Sequence, residues 1–273
     1  MGTLNIGSNT LAAIDNAEMV AYSIRVIEAT YGKKVSVDLK AKSLLKFGRN
    51  QRIGTSPATI MTLPSGIDNE VYVSDNLIDT ISSDNASDVG QTIRIEGHTI
   101  SGSDLTFVVQ TVTLNGRNKV TLSTPLARMT RLANQSGTEL VGEVYGYEDT
   151  AITNGVPNDG TKVHCMIRQD KQQSEKASTS ISSEDFWIIT TYAGDVIEKS
   201  SAFADIQLQI RESGGVFRQR TNKAASSGAG FVAYLCPPII VPSNSDVRLV
   251  ATASGSNIDV SGQINGYLAK VIA

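Results

Sequence analysis

A chain of 273 residues is long enough for two ordinary domains or one large β domain, and a hydrophobic fraction of 40% supplies material for real cores. Charged residues make up only 19%, and Ser, Thr, Asn and Gly fill the gap, which excludes the low-hydrophobicity, high-charge regime of disordered chains. The net charge of −3 comes with no block of like charges, so no broad surface for nucleic acid is expected.

The first residues, Met1 to Asn9, have no basic start and no apolar h-region, so no signal peptide is expected. From Thr10 to Tyr31, the residues Ala13, Ala17, Val20, Ala21, Ile24 and Ile27 recur at helical spacing on one face. Ser8, Asn9 and Thr10 offer N-caps, and Gly32 can close the C-terminal end. The stripe is narrow and rich in alanine, which suits close packing against a neighbour better than an independent core. A second, shorter helix is expected from Val37 to Phe47, with Leu44, Leu45 and Phe47 apolar and Gly48 as its stop. Across this region Lys33, Lys34, Lys40, Lys42, Lys46, Arg49 and Arg52 form a basic cluster. It reads either as a surface that meets an acidic patch on a partner or as a solvated helix face.

From about Ala58 the period changes to two. Glu70 to Val73, Thr92 to Glu96, Leu105 to Leu114, Lys119 to Leu122 and Leu140 to Tyr147 all alternate or are β-branched and aromatic. Asn115-Gly116 is the strongest hairpin signal, since both residues tolerate positive φ. Ser65-Gly66, Ser82 to Asp88 and Ser101-Gly102 punctuate the other runs. Thr153 to Gly160 reads as a linker, and the hydrophilic stretch Gln169 to Ser183 as an exposed excursion. A second β series follows: Phe186 to Tyr192, Phe203 to Arg211, Val216 to Thr221, Gly230 to Cys236, Asp246 to Ala253 and Ile258 to Ile272. Such short, regularly spaced strands mark a sandwich or jelly roll. Pro237-Pro238 and Pro242 are placed between strands, where a missing N–H does no damage. The expected fold is therefore mainly β: a helical arm (residues 1–57), an antiparallel β-sandwich (58–150), a linker (151–160) and a jelly-roll-like β-sandwich (161–273). No apolar run is long enough to cross a bilayer, and a chain made and folded in a cytoplasm is expected.

Catalytic readings find little support. His164 and Cys165 are adjacent on a strand and point to opposite faces, so they cannot form a nucleophile pair. His98 reads as a structural histidine, and Cys165 and Cys236 as small buried thiols, with a disulfide as the alternative. No zinc or EF-hand spacing occurs. Asp75, Asp79, Asp84 and Asp88 gather along a turn-rich stretch that could cage a cation, although such residues more often cap turns. Aromatics are only 5% of the chain, against the exposed platforms that glycan grooves need, and Ser213-Gly214-Gly215 joins strands and opens no helix for phosphate. No enzyme activity, metal or cofactor is expected.

The stretches Thr80 to Asp88, Thr92 to Gly97, Thr111-Val-Thr-Leu-Asn-Gly116 and Arg128-Met-Thr-Arg131 resemble a module of structural proteins of marine tailed bacteriophages. Asp205 to Arg218, Pro238 to Pro242, Ser245 to Arg248 and Val260 to Leu268 resemble its companion module. Together they span roughly Ile78 to Ala273; the first sixty residues match nothing by name. The resemblance implies a non-enzymatic β-sandwich virion component, assembled in the host cytoplasm and associating as a homotrimer. A head decoration or cement protein on the major capsid protein is the first expectation; a tail fibre, adaptor or receptor-binding protein is the alternative. Partner-binding residues are expected at Ala13, Ala17, Val20, Ala21, Ile24 and Ile27, with Lys40, Lys46, Arg49 and Arg52 from the basic cluster. Neither nucleic acid nor a membrane is an expected partner.

Overall fold

A computed structural model describes residues 8–37, 43–197 and 202–272, with helix side chains described from residue 18 onward. Helix α1 (Ser8–Tyr31) ends where Gly32, at φ +62°, donates to the Glu28 carbonyl. The first β region holds β1 (Val35–Val37), β2 (Ser43–Ile53), β3 (Ala58–Thr59), β4 (Ile78–Ser83), β5 (Val89–Ser101) and β6 (Asp104–Asn115). It continues through β7 (Val120–Leu126), β8 (Arg128–Asn134), β9 (Val144–Glu148), β10 (Ile152–Thr153), β11 (Val156–Pro157), a 3₁₀ turn and β12 (Val163–Ile167). The rest comprises β13 (Ser178–Ser180), β14 (Asp185–Val196), β15 (Phe203–Arg211), β16 (Arg218–Ser226), β17 (Phe231–Val241), β18 (Asp246–Ala253) and β19 (Ile258–Val271).

The chain is mainly β, and its strands pair antiparallel. Sheets β12-β9-β4-β7 and β6-β5-β8 together line one hydrophobic cluster, with Ile78, Ile81, Leu126 and Val144 from the first sheet and Ile93, Ile95, Met129 and Leu132 from the second. Sheets β13-β18-β15-β16 and β1-β19-β14-β17 line a second cluster around Trp187, Ile189, Tyr192, Leu208, Leu249 and Ile264. Period-two burial explains both: in β15 the residues Ala204, Ile206, Leu208 and Ile210 face inward while their neighbours stay wet. The N-terminal strands do not stand apart. β2 pairs along β19 and β3 pairs with β18, so Ile53, Ala58 and Ile60 join the second cluster.

Several local expectations are corrected. The helix expected from Val37 to Phe47 is not formed where the structure describes it, because Ser43 to Phe47 open strand β2. Its inward positions are Lys46, Gly48 and Asn50, at a period of two, and then Ile53 past a shift in register, so most are polar or small. Gly48 has no room for a side chain: a Cβ there would stand 2.2 Å from the Ile60 carbonyl and 2.3 Å from the Ala177 nitrogen. Both groups are held by ladder bonds, Ala177 N–H to Ile60 O at 3.0 Å among them. Gly48→Ala is expected to cost about 3 kcal/mol or more, as backbone overpacking with no flexible neighbour to yield, measured by urea unfolding.

Glu70 to Val73 is not a strand. Its side chains anchor it instead, Glu70 to Lys176 and Ser178, and Tyr72 beneath two guanidinium groups. Asn115-Gly116 does make a tight turn, with Gly116 at φ +56°, yet β6 and β7 fall in different sheets. The Gln110 amide spans the gap between them, donating to the Thr124 carbonyl at 2.7 Å and accepting from its N–H at 3.1 Å. Thr153 to Gly160 is no structureless linker. It holds the β10/β11 hairpin around Asn154 and Gly155, and β12 then returns to pair with β9. Pro237 and Pro238 lie inside β17, where the pairing with β14 slips between Ile189 and Thr191 and leaves residues 235–238 out of register.

The largest correction concerns Gln169 to Ser183. The stretch is not an exposed excursion: Ser174 and everything from Lys176 to Ser182 are buried. Ser174 N–H bonds Leu132 O beside the first cluster, and Ala177 N–H bonds Ile60 O beside the second. The hydroxyls of Ser174, Ser178 and Ser180 and the Lys176 ammonium find partners in the interior, which lets so polar a sequence be buried.

Candidate functional site

Between the two hydrophobic clusters lies a polar seam. Lys176 Nζ donates to Glu70 Oε1 at 2.5 Å and to the carbonyls of Met129 at 2.7 Å and His164 at 2.9 Å. Glu70 Oε2 accepts from Ser178 at 2.7 Å and Tyr72 at 3.0 Å. Beside it, buried Asp246 accepts from Arg128, Arg211 and Ser180. Burial alone would raise its pKa, but the neighbouring Arg128 and Arg211 guanidiniums hold it below the usual carboxylate value. Arg128 and Arg211 flank the Tyr72 ring, Arg211 and Arg248 the Phe217 ring, and the two rings stand 5.1 Å apart. This ladder joins β8 of the first cluster to β15 and β18 of the second.

The residues expected to bind a partner have mixed fates. Val20 and Ile27 are buried and Ile24 half-buried in this chain; Ile27 packs with Val35, Phe186, Ile188 and Ala269. Ala21 is exposed, and the side chains of Ala13 and Ala17 lie outside the described residues. The basic cluster does not form a solvated helix face. Lys46 is buried, Arg49 pairs with Asp259 at 2.5 Å, and Arg52 donates to the Leu63 and Pro64 carbonyls, each at 2.8 Å. Lys40 lies outside the described residues.

The groups with chemical potential are built into the interior. His98 is buried against Phe107, and loss of solvent, reinforced by Lys46, depresses its pKa to about 3. His164 bonds Glu148 at 2.9 Å, and burial depresses its pKa too. Cys165 is a buried free thiol with its pKa pushed up by burial, so it is a poor nucleophile; Cys236 is exposed and free. In the acidic stretch, Asp88 accepts from Ser83 and the Val141 and Gly142 N–H groups, and Asp84 from Glu143 N–H. These carboxylates tie loops, as turn-capping residues do. Among the described residues no group of three or more His, Cys, Asp or Glu is placed to hold a metal ion.

What faces outward is sheet edge. β16 pairs only with β15, β17 only with β14, and β6 only with β5 among the strands described. Tyr234 is 80% exposed, Val216 69% and Val232 56%, and Phe203 and Ile197 are exposed as well. β16 contributes exposed Arg218, Arg220 and Lys223. Sequence periodicity located these strands but not their status as edges, which depends on pairing partners distant in sequence. The only signal was the looseness of alternation in Arg218 to Lys223.

No family model matches the chain, and no curated protein matches it. Among solved structures, the T13 particle of infectious bursal disease virus is similar at 11% identity over 94% of this chain and 76% of that one, with a TM-score of 0.24. The Gx strain of the same virus gives 10% identity, 90% and 77% coverage and a TM-score of 0.24. Its VP2 subviral particle gives 13%, 91% and 77%, with a TM-score of 0.20. At such TM-scores the likeness carries no argument about fold or function.

Proposed function

We propose that this chain is a non-enzymatic structural protein of a tailed-phage particle, and that it works by binding other subunits. The observation that carries this reading is the contrast between surface and interior. The histidines, one cysteine and the seam carboxylates are buried, while long strand edges with large apolar side chains face outward. Unpaired edges of this kind are templates for pairing with another chain. The resemblance of residues 78–273 to phage structural modules supplies the particle, and the head surface, with a homotrimer bound to the major capsid protein, is the proposed station. Each hydrophobic cluster, with its flanking sheets, is read as one β-sandwich unit, the second jelly-roll-like. In this reading the contact made by the arm narrows to Ala13, Ala17 and Ala21, since Val20, Ile24 and Ile27 pack within the chain.

The test is quantitative mass spectrometry of purified particles carrying the native chain or a Val232→Lys, Tyr234→Lys variant. Both side chains are more than half exposed, so each substitution should change stability by no more than about 0.5 kcal/mol. The expected result is a copy number comparable with that of the major capsid protein, falling sharply in the variant. A handful of copies would place the chain at the tail or a vertex. Absence from particles would overturn the virion reading, and unchanged incorporation of the variant would overturn the β17 edge as the contact.

A further inference from the structure

Two lysines are buried near the seam, and they are served very differently. An ammonium has three N–H donors, and those of Lys176 all find oxygens within 2.9 Å. Lys46 makes one bond, to the Thr130 carbonyl at 3.4 Å, and has no ion pair among the described residues. Its burial is comparable, at 7% exposure. A buried cation with most of its donor capacity open is unfavourable unless something else supplies acceptors.

The surroundings provide the space and the sign. Lys46 stands on the shared wall of two cavities, of about 380 Å³ and 110 Å³, with Glu96 and Thr130 also common to both. The larger is lined by Lys46, Arg131 and Lys176 against a single carboxylate, Glu96, which already accepts from Arg94 and Arg131. Gln173 and Ser174 add polar atoms to its wall. The smaller cavity is lined by His98, whose buried Nδ1 has no hydrogen-bond partner. Unmet hydrogen-bonding capacity thus stands in the walls of both cavities, and the excess of positive charge lies in the larger, since the smaller sets Lys46 against Glu96 and Asp185.

We propose that the larger cavity binds a small oxyanion, a carboxylate or phosphate, with Lys46 Nζ as its principal donor and Arg131 at the open side. The site is independent of where the protein sits on a particle. Groups that bear on it from every side are Glu96 and His98 of β5, Arg131 of β8, Lys176, Cys165 of β12 and Asp185 of β14.

The probes are sodium acetate and inorganic phosphate, each compared with sodium chloride at equal ionic strength, by thermal unfolding and titration calorimetry on the full chain. At least one oxyanion is expected to raise Tm beyond chloride and to bind saturably. Lys46→Met should lose at least about tenfold in affinity, and without added oxyanion it should be no less stable than the native chain, because it removes a poorly paired buried charge. Arg131→Gln, whose side chain is 43% exposed and whose loss should leave the fold intact, should weaken binding severalfold and guards against misfolding of the first variant. Affinity should also fall as pH rises through about 8, where burial places the Lys46 titration, since the neutral amine no longer attracts an anion. No response to either probe would overturn the proposal. So would equal binding by Lys46→Met, or by Arg131→Gln when Lys46→Met does not fold.

Discussion

Lys176→Met is expected to destabilise the chain by about 3–5 kcal/mol, a large part of the total stability of an ordinary domain. The substitution removes the cation but leaves Glu70 buried, with Ser178 and Tyr72 as its remaining side-chain partners. It also leaves the Met129 and His164 carbonyls without their donor. An uncompensated carboxylate in that position either stays charged at high cost or takes up a proton, so the loss should be larger at pH 8 than at pH 5. Urea unfolding of Lys176→Met, Glu70→Leu and the double variant separates the pair from its surroundings. Each single variant should fall by several kcal/mol, and the double should recover part of that loss, because a neutral pair no longer demands solvation. Additive losses in the double variant would mean that the two residues act separately, and the seam would then not be a coupled unit.

The seam also explains which parts of the fold could be read from sequence. In the second β series β14, β16 and β17 end four or five residues past their expected bounds, whereas β15 and β18 coincide with Phe203 to Arg211 and Asp246 to Ala253. Their inward positions are apolar, and periodicity reports that directly. The misread segments share one property: their buried positions are polar or lack a side chain. β2 turns Lys46, Gly48 and Asn50 inward, so its amphipathic signal is inverted and Leu44, Leu45 and Phe47 mimic a helix face. Residues 174–182 look like a solvated loop because Ser, Thr and Lys fill them, yet their partners, Glu70 and Asp246, lie far away in sequence. Pairing between distant residues leaves no local periodicity. The arm illustrates the opposite case. Its apolar stripe was visible, but the stripe could not say whether it faced a partner or the chain's own sheet, and Ile27 against Phe186 answers for that half.

Buried neutral histidines should give the protein a steep acid limb well before its carboxylates titrate. His98 has a folded-state pKa of about 3, whereas in an unfolded chain it sits near 6.5. Between those values the unfolded state binds a proton that the folded state does not, so stability rises with pH and is lost as pH falls below about 6.5. The slope from this one group is about 1.4 kcal/mol per pH unit. His164 adds to it in the same direction, because its pKa is also lowered, chiefly by burial. Asp246 acts in a lower window. Its depressed pKa means that the stability it contributes is present above the unfolded value of about 3.9 and is lost as pH falls through its folded value. Chemical unfolding at about pH 7, about pH 5.5 and about pH 4.5 should therefore show a decline governed by the histidines, with Asp246 silent. His98→Leu should flatten the decline by about 1.4 kcal/mol per pH unit while keeping the apolar contact with Phe107. An identical acid slope in His98→Leu would mean that His98 is protonated or solvated in the folded chain. The edge-on packing against Phe107 and the unpartnered Nδ1 would then need another explanation, and the smaller cavity beside Lys46 would hold a second cation.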